Sequence, residues 1–261
     1  MDALFTQDVN GGINPNLFLI SNLDQQPDPS KYIFFAGGRR IGSAGNFIVI
    51  TGKPKARKSA FAQAILSAAI TGVEVMNLGI RMPPEHQQIV LIDTEQDRND
   101  IAANLYRLKK QCGINSFKNV DNLGVYSVSE LEPERLISFI NTLFLTRKGI
   151  GLMIIDGLLD LINDMNDVKE SRNLLHQIKL WAKNHNCLII TILHQSKSTG
   201  YSIGHLGSFA DRKAQAVLSV EKEKDENIST LAAQYMRSDK HFEPISIIYN
   251  SHLETYEKIQ Q

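Results

Sequence analysis

The chain has 261 residues, 43% hydrophobic and 21% charged, with 28 basic against 28 acidic side chains. That is an ordinary globular composition, and the zero net charge excludes a uniformly basic surface that would grip nucleic acid by bulk electrostatics; any such contact must be local or built by assembly. Two cysteines, Cys112 and Cys187, are too few for a disulfide framework, and no stretch approaches the roughly 18 apolar residues of a membrane helix, so a cytoplasmic protein without membrane contact is expected.

Residues 1–30 are rich in Asn, Gln, Asp and Pro and read as an N-terminal arm, followed by one domain over 31–261. Met1–Gln25 lacks the charged-then-apolar form of a secretory signal. From residue 31 short apolar runs alternate with helical patterns. The β-branched run Phe47–Thr51 predicts a buried strand, and residues 58–71 predict a helix with Phe61, Ile65, Ala68 and Ala69 on one face. A strand follows at Ile89–Ile92, then a helix from Asp97 to Cys112 stopped by Gly113. Gly124–Val128 is a strand, and Glu132–Lys148 a helix with Pro133 in its first turn. Leu152–Ile155 is a strand, Val168–His185 a helix, and Cys187–Leu193 a strand. Strands apolar on both faces, alternating with helices, predict an α/β fold with a mainly parallel sheet covered on both sides. The last predicted strands, Ala214–Val220, Thr230–Tyr235 and Ile245–Tyr249, follow one another closely and suggest an antiparallel C-terminal extension.

Between the first strand and its helix lies Gly52-Lys53-Pro54-Lys55-Ala56-Arg57-Lys58-Ser59, with Ala60 next. This is the setting of a phosphate loop, whose backbone N–H groups and helix N-terminus wrap an anion. Lys58 would reach the β- and γ-phosphates of ATP, and the Ser59 hydroxyl would ligate Mg²⁺. Arg57 stands where the second glycine of GxxxxGK[ST] belongs, so the loop trades backbone freedom for positive charge.

A phosphate loop needs a carboxylate at the metal and a group that orients water. Leu152-Met153-Ile154-Ile155-Asp156 is a Walker B pattern, with Asp156 placed beside Ser59 for Mg²⁺. Ile89–Ile92 runs into Asp93-Thr94-Glu95, making Glu95 the candidate for polarising water, with Asp93 as alternate or as a helix cap. His194-Gln195 ends a strand at the ligand edge of such a sheet, where Gln195 could sense the γ-phosphate and His194 has either a direct or a structural role.

Together these segments, in the order GKPKARKS, VLIDTEQ, LMIID and ILHQSKSTG, then Gly204–Ser208 and Ala210-Asp211, resemble the RecA-like ATPases. The resemblance is closest to RepA- and DnaB-type hexameric helicase ATPases of plasmids and mobile elements. It implies a RecA-like P-loop core, ATP hydrolysis with Mg²⁺, Glu95 as catalytic carboxylate and Gln195 as sensor. It further implies a homo-oligomer, a hexamer by family, in which Arg237 and Lys240 act across the subunit interface, with Arg212 a weaker candidate. The segment Ser196–Gly207 would face single-stranded DNA, with Lys197, Tyr201 and His205 as contacts through charge and stacking. The process implied is replication or mobilisation of an element, by a helicase-like motor or a loader.

Two other readings use the same residues. Lys53, directly after Gly52, matches the signature lysine of ParA/MinD-type partition ATPases, although Pro54 and Lys55 stand where those loops carry glycine. A nucleotide-binding module without turnover would explain Arg57, but not the joint presence of Lys58, Ser59, Asp156 and Glu95.

Overall fold

A computed structural model of the chain describes residues 28–114, 120–195, 204–225 and 227–259. The chain divides into two units, Met1–Ser30 and Lys31–Gln261; within the first, only residues 28–30 are described. The second unit carries twelve strands and five α-helices among its described residues.

In chain order these are β1 (Tyr32–Ala36), β2 (Arg39–Ser43), β3 (Asn46–Gly52), α1 (Lys58–Thr71), β4 (Leu78–Ile80), β5 (Gln88–Asp93), α2 (Arg98–Gln111), β6 (Leu123–Ser127) and α3 (Pro133–Thr146). Then come β7 (Ile150–Asp156), α4 (Val168–Asn184), β8 (Leu188–His194), α5 (Gly204–Lys213), β9 (Ala216–Lys222), β10 (Ile228–Met236), β11 (Ile245–Asn250) and β12 (Thr255–Lys258). Nine strands form one sheet in the order β12-β11-β10-β9-β3-β8-β7-β5-β6. From β9 to β6 neighbouring strands run parallel. The antiparallel extension expected from the sequence is there, and it begins at β10. Strand β9 itself pairs in parallel with β3, because α5 carries the chain back between β8 and β9.

Side chains of a strand alternate between faces, and in the central strands both faces are apolar. Ile48, Ile50, Leu152, Ile154, Leu188 and Ile190 share one core with Phe61 and Ile65 of α1 and Leu108 of α2. Val49, Met153, Ile155 and Ile189 share the other with α3, α4 and α5, through Leu136, Ile140, Leu175, Trp181 and Leu206. The Trp181 indole N–H donates to Asn141 Oδ1 at 2.7 Å, fixing α4 against α3. This burial on both faces is what a parallel sheet requires, and it leaves the strand ends as the place for polar chemistry.

A separate three-stranded sheet, β2-β1-β4, packs on the α1 side. This sheet, α5 and β12 are not among the elements expected from the sequence, although Tyr32–Phe35 is a run of strand-favouring residues. Both cysteines are free, Cys187 buried and Cys112 half-buried. No described helix is long and apolar enough to cross a membrane.

Candidate nucleotide-binding site

Strand β3 is held by β8 on one side and β9 on the other, and it delivers Gly52 to the C-terminal edge of the sheet. At Gly52 the packing is so close that a Cβ would lie 2.4 Å from the Val220 carbonyl oxygen, so only glycine fits. The chain then turns through residues 53–57 and enters α1 at Lys58. Lys53, Pro54 and Lys55 are exposed at the tip, while Ala56 and Ala60 are buried. The first turn of α1 has no capping side chain and no acidic residue. The Ala60 N–H donates back to the Arg57 carbonyl at 3.0 Å, and the N–H groups of Lys58 and Ser59, with the helix dipole, make the loop a ready anion site.

Arg57 takes the conformation that the missing glycine would have taken, with φ 68° and ψ 34°. A non-glycine residue there costs about 1–2 kcal/mol. Its guanidinium donates to the Ser229 hydroxyl at 3.1 Å. Ser229 is fully buried at the near end of β10. The loop thus keeps phosphate-loop geometry by anchoring its arginine to the antiparallel extension.

Lys58 is 5% exposed. Its ammonium donates to the carbonyls of Gly52 and Lys53, each at 3.1 Å, and meets His194 Nδ1 at 3.0 Å. An ammonium has three donors and no acceptor, so Nδ1 accepts and the proton of the neutral ring sits on Nε2. That Nε2–H donates to the Glu95 carboxylate, 2.9 Å from Oε1 and 3.2 Å from Oε2. Burial pulls the Lys58 pKa down, against the nearby negative charges of Asp156 and Glu95, which pull it up. The bond from His194 holds the Glu95 carboxyl below its ordinary value, against partial burial.

Glu95 owes its position to the turn before it. Asp93 Oδ1 accepts from the backbone N–H groups of Glu95 at 3.1 Å and Gln96 at 2.8 Å, and its Oδ2 accepts from Gln96 Nε2 at 2.8 Å. Asp93 is therefore a turn organiser, and the cap of α2 is Asp97. Thr94 joins the ends of β5 and β7: its N–H donates to the Asp156 carbonyl at 3.0 Å, and its hydroxyl lies 2.9 Å from that oxygen and 2.5 Å from Asp160 Oδ2.

Asp156 accepts from the Ser59 hydroxyl at 3.0 Å, so the two residues read as metal ligands are in contact. Its pKa is pushed from an ordinary 3.8 to about 6, first by burial and then by the charge of Asp93, with the Ser59 bond opposing. A buried carboxylate short of positive charge beside a hydroxyl is an all-oxygen donor pair suited to Mg²⁺. No group of three or more His, Cys, Asp or Glu ligands exists among the described residues; Mg²⁺ arriving on a nucleotide needs only one or two protein oxygens.

The raised value fixes a pH dependence. Between 3.8 and about 6 the native Asp156 binds more protons than the unfolded one, so its contribution to stability falls as pH rises and is fully unfavourable above that window. Without divalent metal, Asp156→Asn is expected to exceed wild type by on the order of 3 kcal/mol at about pH 8 and to lose that advantage near pH 4. Urea unfolding of both proteins in chelator measures it, and a pH-independent difference would contradict it.

Gln195 is 5% exposed, and its N–H donates to the Gly52 carbonyl at 3.0 Å. With Lys53, Pro54, Ala56 and Val220 it lines a cavity of about 300 Å³ on the β9 side of the loop. Arg237 and Lys240 are not in this site. Gly52 is level with Val220, and Met236 is level with Ala216. From Val220 back to Ala216 is four residues, about 13 Å at roughly 3.3 Å per residue. Arg237 is exposed beyond that far end, donates to the Arg212 carbonyl, and lines an open cavity of about 740 Å³ with Arg212, Tyr235 and His241. Lys240 is exposed nearby.

Of the DNA-contact candidates, Lys197 and Tyr201 lie outside the described residues. His205 is exposed on α5 and stacks on Phe209 at 6.2 Å between ring centroids. The guanidiniums of Arg172 and Arg212 lie 5.0 and 5.2 Å from the Phe209 ring.

Sequence reading did not single out Thr94, Asp160 or Ser229, and left His194 open. Thr94 lies between Asp93 and Glu95 and Asp160 shortly after Asp156, and their proximity to the strand ends is the available signal. Ser229 lies 172 residues from Arg57 and carries none.

A sequence profile described as an AAA domain matches residues 18–200, more than half of the chain. No curated protein matches it. Among solved structures, the crystal structure of the RadB recombinase superposes with a TM-score of 0.58 at 12% identity, covering 85% of this chain and 94% of that one. At that identity the likeness is one of fold, a RecA-like α/β sheet with the phosphate loop at its C-terminal edge. The chain belongs to the AAA domain family.

Proposed function

We propose that the protein is an ATP-hydrolysing RecA-like motor ATPase that works on single-stranded DNA as an assembly of identical subunits, a hexamer, in replication or mobilisation of a plasmid or other mobile element. One observation carries the reading: Lys58, Ser59, Asp156 and Glu95, from three separated segments, converge on the sheet edge beside an uncapped helix N-terminus. In this reading residues 1–30 are an arm on an ATPase domain of 31–261.

ATP enters as substrate. The backbone N–H groups of Lys55, Arg57, Lys58 and Ser59 cradle its phosphates, and Lys58 leaves the Gly52 and Lys53 carbonyls for the β- and γ-phosphate oxygens. Ser59 and Asp156 would hold Mg²⁺, which supplies neutralisation of the phosphate charge when bound. Glu95 accepts a proton from a water as its oxygen bonds to the γ-phosphorus; the bond to the β-γ bridging oxygen breaks, and ADP and phosphate leave. Gln195, buried against Gly52, is suited to report the γ-phosphate toward residues 196–203. Lys197, Tyr201 and His205 are the proposed DNA contacts.

Arg237 and Lys240 are proposed to act on a neighbouring subunit's ATP. Their distance from the phosphate loop of their own chain supports action in trans. Arg57 is the main support for a module without turnover, and its left-handed backbone, held by Ser229, weakens that alternative.

The test mixes two inactive proteins. Lys58→Ala and Arg237→Ala are each expected to lose at least about 100-fold in turnover. Mixed, they form interfaces pairing an intact loop with an intact Arg237, and turnover returns. Full activity of Arg237→Ala alone, or no recovery on mixing, would refute action in trans.

A further inference from the structure

His194 touches both ends of the proposed machinery. Its Nδ1 accepts from Lys58 and its Nε2–H donates to Glu95. Its backbone is fixed as the last residue of β8, level with Gly52 of β3, and the next N–H, that of Gln195, bonds the Gly52 carbonyl. The imidazole thus stands between an ammonium that must reach the phosphates and a carboxylate that must stay aligned.

The two nitrogens face different demands. Glu95 is 40% exposed on its side chain and belongs to a turn beyond the end of β5. Asp93 fixes the backbone of that turn, and His194 donates to the carboxylate itself. A freely rotating carboxylate would lose the alignment with water on which catalysis depends. Lys58, in contrast, has its three donors satisfied within the chain, two by loop carbonyls and one by Nδ1. Phosphate oxygens must compete with all three.

We propose that His194 is a positioning residue, whose Nε2–H holds Glu95 aligned for attack and whose Nδ1 competes with phosphate oxygens for the Lys58 ammonium. This rests on the ATPase reading given above. No proton transfer by His194 is involved; Nδ1 gives up its donor when Lys58 leaves.

The two halves separate by substitution. A glutamine places an amide N–H where Nε2–H was and leaves the Nδ1 position without an acceptor. An asparagine places its amide at the Nδ1 position and does not reach Glu95. His194→Gln is therefore expected to keep kcat within a few-fold of wild type and to bind nucleotide at least as tightly. His194→Asn is expected to lose at least about tenfold in kcat with nucleotide affinity unchanged. Steady-state hydrolysis gives kcat and KM, and a fluorescent ATP analogue gives affinity without turnover. Thermal melting of both variants checks that they are folded.

Rescue of kcat by glutamine and not by asparagine, at equal melting temperature, is the expected result, and a merely structural histidine would not produce that split. Equal loss in both variants, or loss in neither, while Lys58→Ala abolishes turnover, overturns the role of His194 and leaves the ATPase reading standing. No turnover in wild type, with the analogue bound normally, overturns both.

Discussion

Glu95→Gln is expected to abolish multiple-turnover ATP hydrolysis while leaving nucleotide binding intact. The amide oxygen still accepts from His194 Nε2–H, which meets the carboxylate at 2.9 Å in wild type, so the geometry persists. What disappears is the base: an amide does not take the proton of an attacking water. A positioned general base is worth at least about 100-fold, so kcat should fall by that factor or more. The substitution leaves the phosphate loop and the Ser59–Asp156 pair unaltered, so nucleotide binding is expected to persist. Equilibrium binding of a fluorescent ATP analogue, beside phosphate release, measures both. Unchanged hydrolysis would transfer the role from Glu95 to another group.

Gly157→Ala should be strongly destabilising. Gly157 sits at φ 113°, outside the range of ordinary side chains. A Cβ there would lie 1.9 Å from Thr94 Oγ1 and 2.7 Å from Asp160 Oδ2. Moving Thr94 aside breaks the bonds of its hydroxyl to the Asp156 carbonyl and the Asp160 carboxyl. Backbone strain and overpacking together cost roughly 3–5 kcal/mol, or on the order of 10 °C in melting temperature. The damage is coupled: in a Thr94→Ala background the added methyl should cost clearly less, because its main clash is gone. Thermal unfolding of the single and double variants reads this out, and strictly additive losses would contradict the contact as the cause.

Much of this site is legible in the chain because it sits at strand ends. An apolar run such as Leu152–Ile155 marks a strand buried on both faces, and its first polar residue, Asp156, must then lie at the sheet edge. The same logic locates Glu95 and His194. The phosphate loop is legible from a glycine, a lysine and a serine between a strand and a helix. Conformation at Arg57 is not, since the left-handed backbone depends on a partner in β10. Strand direction at the C-terminal edge was equally hidden. Whether β9 runs with or against β3 depends on α5, and the glycines Gly204 and Gly207 made that segment read as loop. The small sheet of β1, β2 and β4 escapes for a similar reason, with Gly37, Gly38 and Gly42 interrupting short strands. His194 could be placed by sequence, but its role needed both its contacts at once.

The central claim is that the loop from Gly52 to Ser59 turns over ATP in an assembled protein. Steady-state phosphate release across a protein concentration series, with and without single-stranded DNA, tests it most directly. Specific activity that rises with protein concentration and with DNA, and vanishes in Lys58→Ala, is the expected result. ATP bound but never hydrolysed, at any concentration and with DNA present, would contradict it.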